Sequence, residues 1–160
     1  MNTVLTQAPV YAEQDVIRGL QQYEKRAELQ VSQLIYYPYY FFEYELSIRS
    51  FLKLKGKTAC TIDGISGHGA LIDRQPEFSY REIEPSQIPI EVSEDKARKA
   101  AEKFIFENAS SKAKFVTTPE IEMLSSTLFY RPFWLANYGQ EDHGQHQLIV
   151  DAISGGYHPL

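Results

Sequence analysis

The side chains of this chain that could do chemistry are few, and most stand where loops are expected. Asp142, His143 and His146 lie in the string EDHGQH, a spacing that would let two imidazoles and a carboxylate share one metal ion. No further ligand is placed beside them by any motif, so solvated loop histidines are the competing reading. His68 and His158 each follow a turn-like string and could approach one another only through internal symmetry. Asp63 and Asp151 each close an apolar run, in TIDGISG and IVDAISGG. As a symmetric pair they would suit acid–base or metal chemistry. As turn formers they would instead accept hydrogen bonds from the amides that follow, while glycine supplies positive φ. The turn reading predicts that Asn at either position costs about 1 kcal/mol or less. Cys60 alternates with Thr58 and Ile62, as expected of a buried strand thiol. GISGHG, at residues 64–69, has the glycines of a phosphate loop without its lysine or a following helix, and reads as a turn. These residues assign no catalytic, cofactor-binding or metal site.

The elements that position them are written twice. LIYYPYYFFEY at residues 34–44 aligns with LFYRPFWLANY at 128–138, matching Leu34 with Leu128, Tyr36 with Tyr130, Pro38 with Pro132 and Tyr44 with Tyr138. The two aspartate strings follow in the same order, which predicts a duplicated unit. A helix candidate precedes each copy. Val16, Gly19, Leu20, Tyr23 and Ala27 fall at helical spacing, as do Ala97, Ala100, Ala101, Phe104 and Ile105. Ser93 is placed to cap the second helix, with Glu94 and Asp95 at its positive end. The small residues Gly19, Ala97, Ala100 and Ala101 suggest helices lying close on a sheet.

Strands follow each helix. Tyr36, Tyr40, Phe42, Tyr44, Leu46 and Ile48 alternate with Tyr37, Tyr39, Phe41, Glu43 and Glu45, the period of a strand with one buried face. A turn near Lys55-Gly56-Lys57 would return the chain through residues 58–63. In the second copy a strand over 121–138 would return through 147–151, after a polar loop at 139–145. Pro38 and Pro132 cannot donate to a ladder, so each strand needs an edge or a bulge there. Residues 74–92, with Pro76, Pro85 and Pro89, read as an extended connection holding at most a short strand at 78–83. The resulting expectation is an α+β fold of two helix-strand-strand repeats, with a curved antiparallel sheet packed on the helices. Its parts are a first repeat over 1–73, a connection over 74–92 and a second repeat over 93–160, forming one pseudo-symmetric domain.

Composition narrows the function classes. The 160 residues carry a formal charge of −5 with dispersed Lys and Arg, which argues against nucleic acid as a partner. A single cysteine excludes an internal disulfide and a cysteine-rich zinc site. No apolar run is long enough to span a bilayer. The N-terminus lacks the basic start and continuous apolar run of a secretory signal. The expected location is the cytoplasm for a complete chain, and outside it if a signal has been removed.

Ser93 and Ala97 at the helix start, with Val150, Asp151, Ala152, Ser154 and Gly155 at the hairpin end, resemble the PepSY class of small domains. Ile62, Asp63, Gly64, Ser66 and Gly67 form a weaker version in the first half. The resemblance is strongest over 93–156 and does not extend to the Leu-x-Tyr-x-Pro-aromatic strand. It implies a cystatin-like curved sheet wrapped on a helix, a binding or inhibitory role, and no catalytic residues.

Aromatic content, 13 % with eleven Tyr, is the remaining feature. The rings either fill the space between helix and sheet or present a partner surface. Tyr37, Tyr39 and Phe41, with Arg131, Phe133 and Leu135, are the residues that alternation places on the second face. The leading functional expectation is a non-enzymatic binding module that modulates a partner protein through this aromatic surface, or a homodimer formed on it. The competing classes are a small enzyme or ligand-binding protein with an aromatic pocket and loop histidines, and a self-assembly unit whose strand edges pair.

Overall fold

A computed structural model describes residues 2–23, 28–49, 53–83, 89–112, 119–140 and 144–159. Along the chain run β1 (Asn2–Thr6), α1 (Glu13–Tyr23), β2 (Glu28–Arg49), β3 (Lys53–Asp63), β4 (Gly69–Ile72), β5 (Ser79–Ile83), α2 (Glu94–Lys112), β6 (Glu120–Gln140), β7 (Gly144–Asp151) and β8 (Tyr157–Pro159). Among the described residues no helix is long and apolar enough to cross a membrane.

Both helices form where periodicity places them; β2 begins at Glu28, ahead of the alternation that starts at Tyr36, and the β6–β7 ladder reaches Gln140–Gly144, inside the polar loop expected at 139–145. Ser93 Oγ accepts the Lys96 amide at 3.3 Å, capping α2. Asp15 Oδ2 accepts the Ala12 amide at 2.9 Å and ties the start of α1. The first hairpin differs from expectation: Arg49 pairs with Lys53, so Lys55, Gly56 and Lys57 lie in strand β3 rather than in the turn. The short strand expected at 78–83 is β5.

The expected fold class is overturned. The protein is mostly sheet, 57 % strand against 21 % helix among the described residues, and its eight strands form one mixed sheet rather than two antiparallel repeats. The hydrogen-bonded order is β4-β3-β2-β6-β1-β5, with β7 on β6 and β8 on β7. β1 pairs antiparallel with β5 from Asn2–Ile83 to Thr6–Ser79, and bridges β6 in parallel at Thr6–Tyr130. Neither β1 nor β5 belongs to the repeated pattern. Each completes its ladder only with residues far away in sequence, which local patterning does not report.

The chain divides into two compact units, each built from separated segments. One holds residues 1–37, 77–88 and 130–160, the other residues 38–76 and 89–129. β2 and β6 each pass from one unit into the other, at Tyr37/Pro38 and at Phe129/Tyr130.

In the unit containing α2, Tyr40, Phe42 and Tyr44 of β2 and Cys60 and Ile62 of β3 bury against Ala97, Ala101 and Ile105 of the helix. Ala97 and Ala101 are fully buried, so the methyl groups let the helix approach the sheet closely. Each buried Phe or Ile here contributes about 1.5–3 kcal/mol by leaving water. Among the described residues the buried Tyr44 hydroxyl has no hydrogen-bond partner. Burial, with the Glu102 carboxylate nearby, holds its pKa well above the usual tyrosine value.

In the unit containing α1, Val16, Ile17 and Leu20 pack on Val31, Trp134, Ala136, Tyr138, Leu148 and Val150. Val16 and Leu20 face the core as expected. Gly19 does not, since a Cβ there would meet nothing within 4 Å. Tyr23 begins the stretch whose side chains are not described, and Ala27 lies outside the described residues.

The helices are exchanged between the two halves of the sequence. α1, which precedes the β2–β3 hairpin, packs on β6 and β7 and on Val31 of β2, while α2, which precedes β6 and β7, packs on β2 and β3 with Ile121 of β6 beside them. Polar pins hold the exchange. The Gly64 carbonyl accepts the Glu91 and Val92 amides, and the Tyr40 hydroxyl donates to the Val92 carbonyl at 2.8 Å. The Ala152 carbonyl accepts the Val10 and Tyr11 amides, and Trp134 Nε1 donates to the Tyr11 carbonyl at 2.8 Å. The segment leading into each helix is thereby fastened to the turn of the hairpin from the other half of the sequence.

Candidate functional site

The two aspartate turns are built alike. Asp63 Oδ1 accepts the amides of Ile65 at 2.8 Å and Ser66 at 3.0 Å, and Gly67 follows at φ +79°. Asp151 Oδ1 accepts those of Ile153 at 2.9 Å and Ser154 at 3.4 Å, and Gly155 follows at φ +78°. That φ is one an L side chain rarely adopts, which accounts for glycine at both places. Pro38 and Pro132 are fully buried and stand one residue outside the ladders that begin at Tyr39–Asp63 and Phe133–Asp151. Their missing amides therefore cost no ladder bond. Their carbonyls accept the Gly64 amide at 2.9 Å and the Ala152 amide at 3.1 Å.

Asp151 carries a further partner that its motif does not announce. Arg131 donates to Asp151 Oδ2 from Nε at 3.0 Å and from a terminal guanidinium nitrogen at 2.7 Å. Both Asp151 oxygens are thus engaged in bonds that hold the hairpin.

Of the six residues expected on a partner surface, four lie in the unit containing α1. There Tyr37 meets Phe133 edge to face at 5.9 Å, Arg131 is held by Asp151, and Leu135 is half-buried. Phe133 itself is 9 % exposed. In the other unit Tyr39 stacks on Phe129 at 5.8 Å, and Phe41 is fully buried. The accessible members of the set are therefore Tyr37, Tyr39, Arg131 and Leu135, all half-buried.

His68 stands in the Asp63 turn, its amide donating to Ser66 Oγ at 3.2 Å and its carbonyl accepting the Asp63 amide. His146 lies 5.4 Å from the Tyr138 ring, and His158 is exposed on β8. Asp142 and His143 lie outside the described residues. Among the described residues no three His, Cys, Asp or Glu side chains are grouped as metal ligands. Cys60 is buried, and desolvation pushes its thiol up to about 12 from 9.0. The thiol should resist maleimide at neutral pH and react on unfolding. Between about pH 9 and 12 the unfolded chain sheds this proton while the native state keeps it, so stability should fall as pH rises through that window. Titration of denaturant midpoints against pH, with Cys60→Ala as reference, measures the slope.

A feature that motif reading passed over lies on β6. Met123 and Leu124 are each 42 % exposed and Leu128 is 37 % exposed. The available signal was the composition of residues 120–128, EIEMLSSTL, a strand stretch without Lys, Arg, Gly or Pro. On β5, Tyr80 is also exposed, next to Arg81, which donates to the Tyr36 hydroxyl at 2.6 Å.

Comparison with protein-family models, with curated proteins and with solved structures finds no match to this chain.

Proposed function

We propose that the chain is a non-enzymatic interaction module that modulates a partner protein. The observation that carries this reading is the exposure of three large apolar side chains, Met123, Leu124 and Leu128, on a single strand. Side chains of this kind gain most when a second protein surface covers them. Tyr37, Arg131 and Leu135 in one unit, and Tyr39 in the other, are the accessible residues of the expected set, and Tyr and Arg are the types that anchor interfaces. The best-placed carboxylate supports the same reading, because both oxygens of Asp151 already hold the hairpin.

We also propose that the two hairpins derive from one duplicated, PepSY-like hairpin. What supports this is the common bonding around Asp63 and Asp151 and the matched carbonyls of Pro38 and Pro132. The kinship is proposed for the hairpin and its turn alone.

Native mass spectrometry of the protein purified from its source cell tests the functional reading. The expected species contain a second polypeptide, either another copy or a different protein. A stoichiometric small molecule or metal with no accompanying polypeptide would overturn it.

A further inference from the structure

We infer that residues 120–128 of β6 pair antiparallel with the same residues of a second copy of this chain, about a two-fold axis through Leu124. This rests on reading the chain as an interaction module and names the partner. β6 has three neighbours, β2, β1 and β7. Its ladder with β7 runs only from Phe133 to Gln140, and it meets β1 only at Tyr130. Among the described residues, one side of 120–128 therefore has no strand beside it.

Other open stretches of this sheet are short or guarded: β1, β4 and β5 are only four or five residues long. β4 covers β3 only at residues 59–62, and the uncovered part of β3 carries Lys55 and Lys57. β8 ends the sheet with three residues, one of them Pro159. Lysine, proline and short length are the usual means of keeping an edge from pairing. Residues 120–128 use none of them and expose Met123, Leu124 and Leu128 instead.

Charge selects the occupant. The only charged residues of the stretch, Glu120 and Glu122, lie at one end. A parallel partner of the same sequence would set carboxylate against carboxylate, which is unfavourable. The antiparallel copy sets Glu120 opposite Leu128, Glu122 opposite Ser126 and Leu124 opposite Leu124. Within the stretch no like charges face each other, and Leu124 meets Leu124 at the axis. The stretch is thus complementary to itself in one orientation.

Light scattering of the full chain at high micromolar concentration is expected to give a dimer. Leu124→Lys puts two cations face to face on the axis and should weaken association by about tenfold or more, with the far-ultraviolet dichroism unchanged. Leu128→Lys places its cation opposite Glu120 of the other copy and should leave association as strong or stronger. Leu124→Cys should yield a disulfide-linked dimer on oxidation, because directly opposed Cβ atoms come within roughly 4.5–5.5 Å. Cys60, being buried, does not compete. Should Leu124→Lys fail to fold, the other two variants decide. A monomeric mass for the native chain, a Leu128→Lys loss equal to that of Leu124→Lys, or no disulfide at position 124 would overturn the pairing. A monomer that still carries a different protein in native mass spectrometry overturns the self-pairing alone. A monomer that carries none overturns the interaction reading with it.

Discussion

Phe42→Ala is expected to destabilise the protein by about 3–5 kcal/mol, as truncation of a buried Phe leaves a cavity that close-packed neighbours fill only in part. Phe42 is fully buried on β2 between Tyr40 and Tyr44, with ring centroids at 6.1 and 6.2 Å, and shares its core with α2. The informative quantity is its coupling to each helix. A double-mutant cycle of Phe42→Ala with Ile105→Ala on α2 should show an interaction of roughly 0.5–3 kcal/mol, since both belong to one core. The same cycle with Val16→Ala on α1 should be additive within about 0.5 kcal/mol, since Val16 belongs to the other core. Denaturant unfolding measures both. If Phe42 coupled to Val16 and not to Ile105, each helix would cover its own hairpin and the exchange would be wrong.

Asp151→Asn is expected to cost about 2 kcal/mol, more than its motif alone suggests. Asn preserves the oxygen that accepts the Ile153 and Ser154 amides, so the turn itself should survive. What is lost is the charge facing Arg131. With the two side chains 27 % and 16 % exposed, that guanidinium would be left partly desolvated without its counter-ion. Partial exposure keeps the cost below that of a deeply buried pair. Asp151→Ala removes the turn acceptor as well and should cost about 1 kcal/mol more. Arg131→Leu combined with Asp151→Asn should recover part of the loss, because no uncompensated charge then remains. If Asp151→Asn proved neutral in thermal and denaturant unfolding, the ion pair would carry no stability.

Much of the local structure follows from residue order. The alternation Tyr40, Phe42, Tyr44 marks a strand face, and Ala97, Ala101 and Ile105 mark a helix stripe, because burial on a regular element recurs with its period. The turns at Asp63 and Asp151 were legible because an Asx side chain and a glycine at positive φ act within a few residues of one another. The resemblance to PepSY domains rests on the same short strings. Gly19 shows the limit: its spacing fits the α1 stripe, yet among the described residues a Cβ there would meet nothing within 4 Å.

The sequence by itself determined which segments become helices and long strands, which faces of them seek cover, and the two aspartate turns. Those outcomes depend on neighbours a few residues apart. Only the tertiary structure decided that α1 lies on β6 and β7 while α2 lies on β2 and β3. It alone paired β1 with β5, placed Arg131 against Asp151, and left 120–128 with an open edge. An apolar stripe specifies that it must be buried and carries no label for the surface that buries it. Here the choice is made by contacts between distant segments, such as Tyr40 with Val92 and Trp134 with Tyr11, and these exist only once the chain has closed on itself.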